Sequence, residues 1–181
     1  YWSGLYGGFL FDDYPNIVDN HGVQPHDASF ASLVSAALSS PATEFKRPLA
    51  SLSFAANYLV SGLDPYWMKL TNLLIHLLNG WLVFLLARAL LLSTATPDGN
   101  VIAESAEGEK QKQRAGTVAV LIAAGWMVLP INLTGVLYVV QRMESMANVF
   151  VLLGLLGYVS GRRRMLRDVP GQCSPHSDAR G

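Results

Sequence analysis

The sequence predicts an all-α protein that crosses a membrane several times. Of its 181 residues, 51% are hydrophobic and only 14% are charged, whereas soluble domains carry about 25% charged residues. The mean hydropathy is +0.29. Three stretches lack Asp, Glu, Lys and Arg, and each approaches or exceeds the roughly 17–25 residues that a helix needs to cross a bilayer. They are 70–87, 115–141 and 145–161.

The order of these stretches predicts the organisation of the chain. Short cytoplasmic loops are enriched in Lys and Arg, and these residues cluster in 88–114 and 162–167. Residues 115–161 are predicted to cross the membrane twice, as a hairpin. The alternative is a single bent crossing helix over 115–141, which would reverse the sidedness of all residues after it. With the hairpin, we predict the end of a truncated crossing helix in 1–11, an external (periplasmic or lumenal) loop in 12–66, a crossing helix in 67–92, a cytoplasmic loop in 93–114, a crossing hairpin in 115–161 and a disordered basic cytoplasmic tail in 162–181.

The external loop is expected to be structured. Apolar residues recur at helical spacing from Phe30 to Leu38, which predicts a short helix lying on the membrane surface. A second helix is predicted to begin at Pro48, because proline is well tolerated in the first turn of a helix.

Several classes of site are excluded by the composition. The net charge is zero, which gives no case for a nucleic-acid partner. The single cysteine, Cys173, excludes an internal disulfide and a cysteine-based zinc site. His21 and His26 lack a third ligand, and the adjacent carboxylates of Asp12 and Asp13 do not complete the shell of a divalent cation. No metal and no cofactor is therefore predicted.

Three segments resemble a known family: GGFLFDDYPNIVDN, then KRPLASLSFAANYLVSGLDPYWMKLTNLLIHLLNGWLVFLL, then YVVQRMESMANVFVLLGLLGY. They resemble the GT-C superfamily of membrane glycosyltransferases. Within it, they are most similar to the protein O-mannosyltransferase-like branch, which includes the transmembrane-and-tetratricopeptide mannosyltransferases and their bacterial relatives. The resemblance covers residues 4–162 and implies a polytopic GT-C-like helical bundle.

The resemblance also implies a reaction and its site. Such enzymes transfer a sugar with inversion from a polyprenyl-phosphate donor to an external acceptor, a protein hydroxyl or a glycan or lipid. An acid of the first external loop, Asp12 or Asp13 here, serves as base. Basic residues hold the carrier phosphate; the candidates are Arg47, Lys46 and, more weakly, Arg142. The roles suit the chemistry, because a carboxylate accepts the proton of an attacking hydroxyl and arginine stabilises a departing phosphate.

Each of these features also has an ordinary structural explanation. Asp12 and Asp13 suit a turn, and Lys46 and Arg47 suit contacts with lipid headgroups. Arg142 and Glu144 suit an interfacial ion pair. One helix face carries a polar stripe, whose members either bond to neighbouring helices or line a path for the carrier lipid. The stripe consists of Asn72, His76 and Asn79.

Two other functions compete with the enzyme. One is a non-catalytic membrane transport or scaffold protein that binds the carrier lipid. The other is an inactive fragment, since enzymes of the resembled class have more crossing helices. The expected partners are the polyprenyl-phosphate sugar, membrane lipid and a protein or glycan acceptor. The expected location is a bacterial inner membrane in preference to the endoplasmic reticulum.

Overall fold

A computed structural model of the chain describes residues 1–41, 47–94 and 106–167. Every regular element in these ranges is helical, which confirms the all-α class for the described part. Two 3-10 helices, Trp2–Tyr6 and His21–Val23, and a π-helical turn, Tyr14–Val18, precede the α-helices. The α-helices are α1 (Phe30–Ala37), α2 (Pro48–Ser61), α3 (Pro65–Thr94), α4 (Ala106–Met127), α5 (Pro130–Leu137) and α6 (Arg142–Arg167).

Two of these helices are long and apolar enough to cross a membrane, namely Pro65–Ser93 of α3 and Arg142–Met165 of α6. The pair Glu107–Met127 and Pro130–Leu137 meets the same standard together but bends by 63°. The bend falls where Pro130 forces the preceding residue out of helical geometry. The chain is therefore an integral membrane protein, with two or three crossing helices in its described part. The predicted sidedness and the hairpin over 115–161 stay predictions.

Contacts of the polar stripe define which ends of the long helices meet. His76, in the fourth turn of α3, meets Met127 at the last residue of α4. Asn72 reaches Val139, just before α6, and Asn79 reaches Ser145 in its first turn, so α3 and α6 run parallel. The start of α3, the end of α4, α5 and the start of α6 therefore meet at one end of the bundle, which we call the loop end.

The N-terminal loop packs onto this loop end. Residues 1–11, predicted as the end of a crossing helix, hold the 3-10 helix Trp2–Tyr6 and then an extended stretch, so that assignment stays a prediction. The predicted structured loop with short helices is confirmed. One buried cluster joins this loop to the long helices and contains Ile17, Val23, Ala50, Phe54, Met68, Val139 and Met143. Burying each large apolar side chain of the cluster stabilises this packing by about 1.5–3 kcal/mol.

A buried arginine lies at the centre of this junction. Arg142 has no exposed surface. Its Nε donates to Oδ1 of Asn72 at 2.8 Å, Nη1 to the carbonyl of Ser53 at 3.1 Å, and Nη2 to the carbonyl of Met68 at 2.8 Å. The guanidinium also lies 4.6 Å from the centre of the Phe54 ring. One side chain thus links α2, α3 and α6.

Replacing Asn72 by leucine should destabilise the protein by about 2–4 kcal/mol, because it removes the acceptor of a buried charge and the donor to the carbonyl of Tyr138. Unfolding in detergent, followed by circular dichroism, measures the change. Asn148→Leu is the matched control, since Asn148 is exposed on α6. Equal stability of the two variants would contradict the account of Arg142.

Candidate functional site

The two adjacent acids face different surroundings. The preceding residue, Phe11, has φ +36°, a strained left-handed conformation for a side chain of this size. Asp13 is completely buried, whereas Asp12 is exposed. Of the two predicted catalytic acids, only Asp12 presents its carboxylate to the surroundings.

Asp13 fastens the loop to the helix bundle. Its Oδ2 accepts a hydrogen bond from the backbone N–H of Leu10 at 3.0 Å, and its Oδ1 accepts one from the N–H of Val140 at 2.8 Å. Val140 lies in the turn between α5 and α6. Because both oxygens of Asp13 are occupied, the geometry suits it to holding the turn and leaves it poorly placed to take a proton from an acceptor.

Lys69 is a buried charge at this site that the sequence analysis missed. It is 2% exposed, and its Nζ donates to the carbonyls of Gly7 at 2.8 Å and Gly8 at 2.9 Å. The Asp13 carboxylate attracts it electrostatically. A Cβ added at Gly7 would lie 3.1 Å from Nζ, so the close approach favours glycine there. The Gly-Gly pair ahead of the acids was the sequence feature that could have indicated this close contact with a buried charge.

Arg47 lines an apolar groove near the start of α6. Its side chain is exposed, and Nη1 contacts Sδ of Met143 at 3.4 Å. The groove has a volume of about 340 Å³. Lys46, the other predicted phosphate ligand of the loop, lies outside the described residues. The apolar lining includes Pro48, Leu49, Met146, Ala147 and Phe150.

Asp13 and Arg47 contact one short segment. Asp13 bonds to Val140 and Arg47 contacts Met143, so both attach to residues 140–143. The loop thus brings the exposed carboxylate of Asp12 and the exposed guanidinium of Arg47 to the region of the start of α6. The two residues lie far apart in the sequence.

Arg142 occupies the same segment but faces inward. A carrier phosphate would have to displace its bonds to α2 and α3, because the side chain has no exposed surface. It does not pair with Glu144, as the sequence analysis considered; instead, neutral oxygens surround its guanidinium.

The polar stripe of α3 is buried and bonds to backbone carbonyls of three other segments. Asn72 donates to Tyr138 at 3.0 Å and Asn79 to Ser145 at 2.8 Å, and Nε2 of His76 lies 3.1 Å from the carbonyl oxygen of Met127. Interhelical bonds of this kind hold membrane helices together. The stripe therefore positions the loop end of the bundle.

Within the described ranges, no group of three His, Cys, Asp or Glu side chains could hold a metal ion.

Comparison with known proteins identifies similar sequences. The chain is 29% identical over 163 residues to the protein O-mannosyl-transferase Tmtc3 of Drosophila melanogaster, covering 87% of the chain and 17% of that protein. It is 31% identical over 171 residues to Tmtc1 of the same fly, covering 92% of the chain and 17% of the relative. Mouse TMTC3 is 29% identical over 167 residues, which cover 90% of the chain and 16% of the relative. The chain is thus similar over most of its length to one part of the TMTC protein O-mannosyl-transferases.

This similarity confirms the resemblance to the protein O-mannosyltransferase-like branch. The chain spans about a sixth of the length of these TMTC relatives. All are animal proteins, so the expected bacterial inner membrane finds no support in them. No family model and no solved structure matches the chain.

The different surroundings of the acids predict different effects on stability. Asp13→Asn should lower the free energy of unfolding by about 1–3 kcal/mol, because an amide offers one acceptor oxygen where two backbone N–H groups need partners. Asp12→Asn should leave it unchanged. Denaturant titration in detergent compares the variants, and equal losses would contradict the assignment.

Proposed function

We propose that this chain is the part of a membrane mannosyltransferase that holds the catalytic base and the donor phosphate. The TMTC relatives are protein O-mannosyl-transferases, which supports a glycosyltransferase. The observation that carries the proposal is the attachment of both Asp13, the neighbour of Asp12, and Arg47 to residues 140–143. Base and phosphate ligand then lie together at the loop end.

Asp12 is the proposed base. The hydroxyl of the acceptor protein attacks the anomeric carbon of the donor sugar and gives its proton to the Asp12 carboxylate. The bond between the anomeric carbon and the phosphate oxygen breaks on the opposite side, so the configuration inverts. Asp13 acts as a positioning residue, since it fixes the backbone beside Asp12 to the turn at Val140.

Arg47 and the apolar groove are the proposed site of the polyprenyl phosphate. The prenyl chain lies against side chains such as Met146 and Phe150. Its phosphate gathers negative charge as the sugar leaves, and the planar guanidinium of Arg47 stabilises that charge with paired hydrogen bonds. Lys46, adjacent in sequence, is a second proposed ligand.

The proposed orientation places the loop end on the external face, where a lipid headgroup meets a water-borne acceptor. Because the relatives are animal proteins, this face is the lumen of an endomembrane such as the endoplasmic reticulum. Acceptor recognition is assigned to the remaining length of the TMTC proteins.

A carrier-lipid binder without catalysis is the second candidate, and the apolar groove with an arginine in its lining favours it. It would bind the polyprenyl-phosphate sugar and release it unchanged. Measuring product as well as binding separates the two functions.

Asp12→Asn should reduce mannose transfer by about 100-fold or more, because the amide cannot accept the acceptor's proton. The assay follows radiolabelled mannose from the polyprenyl-phosphate donor into protein, with the complete open reading frame expressed in membranes. Asp19→Asn is the matched control, an exposed aspartate of the same loop. Full activity of Asp12→Asn would overturn the assignment of the base.

Arg47→Gln should raise KM for the donor by about 10- to 100-fold, the loss expected for hydrogen bonds to a charged group. Arg47→Lys should recover part of the affinity, since lysine keeps the charge and loses the paired geometry. Arg88→Gln, on the distant part of α3, is the control. An unchanged KM in Arg47→Gln would place the phosphate elsewhere.

A further inference from the structure

A polar cavity of about 370 Å³ lies beside the turn that Asp13 holds. Its volume falls in the range of about 300–1,000 Å³ that is usual for small-molecule sites. α3, α4, α5 and α6 each contribute to its wall. Amide, hydroxyl and carboxylate groups dominate the lining, and they include Asn79, Asn132, Thr134, Gln141, Glu144 and Asn148.

Asn79 supplies the cavity with an unused acceptor. The residue is 1% exposed, and its Nδ2 donates to the carbonyl of Ser145 at 2.8 Å. Its Oδ1 is buried and has no hydrogen-bond partner in the described structure. A buried oxygen without a donor costs about 1–3 kcal/mol. A ligand that brings a hydroxyl group into the cavity would remove this cost.

Glu144 lies between the cavity and the apolar groove and contributes to the lining of both. Its side chain is exposed. Arg142 is the charged residue nearest to Glu144 in sequence. Its guanidinium already donates hydrogen bonds to Asn72, Ser53 and Met68. The Glu144 carboxylate can therefore accept hydrogen bonds from a ligand.

The two spaces together match an amphiphile. The apolar groove has Arg47 in its lining, and the adjacent cavity carries amides, hydroxyls and a carboxylate. A carboxylate and amide oxygens are good acceptors for the several hydroxyls of a sugar, because bonds to a charged group are the stronger ones. A molecule with a prenyl chain, a phosphate and a sugar would meet these three environments in turn.

We propose that this cavity binds the sugar headgroup of the polyprenyl-phosphate donor, with Glu144 and Asn79 accepting hydrogen bonds from its hydroxyls. The inference rests on the proposed function, which supplies the donor class. It adds a specificity-determining residue, Glu144, which lines the groove of Arg47 as well as the cavity.

The test measures two affinities of the purified protein, expressed from its complete open reading frame. One ligand is a short-chain polyprenyl-phosphate mannose, and the other is the same polyprenyl phosphate without the sugar. The unaltered protein should prefer the sugar-bearing ligand. Glu144→Gln should weaken binding of that ligand by about 10- to 100-fold and should not weaken binding of the sugar-free ligand.

Two further variants support this comparison. Asn148→Leu changes the same wall of the cavity one turn further along α6, at an exposed position, and it should also reduce the preference for the sugar-bearing ligand. Glu107→Gln, an exposed acid in the first turn of α4, is the matched control and should keep the preference.

Each remaining outcome overturns the inference. If Glu144→Gln weakens both ligands equally or neither, the cavity does not hold the sugar, while the proposed function can stand on its transfer assay. If the unaltered protein binds both ligands equally, the sugar also lies elsewhere. If it binds neither, both the inference and the proposed donor class fail.

Discussion

A buried guanidinium whose partners in the described ranges are all neutral is the interaction on which the loop end depends. Moving a charge out of water costs several kcal/mol unless polar partners replace the water. Arg142 finds them in Asn72, in the carbonyls of Ser53 and Met68, and in the ring of Phe54. These partners come from α2 and α3, so the charge is stable only when both helices are docked against α6. The start of α6 is thereby fixed.

That fixed segment determines what the loop can do. Asp13 reaches it through Val140 and Arg47 through Met143, and so the loop presents Asp12 and Arg47 around one turn. Two adjacent acids thus have separate tasks, one buried and structural and the other exposed. Lys69 adds a second attachment, because it donates hydrogen bonds to the carbonyls of Gly7 and Gly8. In the proposed enzyme, rigidity at this turn becomes accurate placement of base and phosphate.

The long helices and the start of α2 at Pro48 could be predicted from the sequence, because uncharged length and proline position are local signals. The stripe of Asn72, His76 and Asn79 was also visible as helical spacing. The contacts of Arg142 and Lys69 were not, since their partners are main-chain carbonyls, which every residue carries and no pattern marks. The different roles of Asp12 and Asp13 could not be predicted either, because they depend on the contact of Asp13 with Val140, 127 residues further along the chain.

Hydrogen exchange at the Val140 amide tests most directly whether Asp13 holds the turn on which the site is built. The amide should exchange slowly in the unaltered protein and in Asp12→Asn, and about 10- to 100-fold faster in Asp13→Asn, where the carboxylate acceptor is lost. Unchanged protection in Asp13→Asn, or a comparable loss in Asp12→Asn, would contradict the separate roles of the two acids.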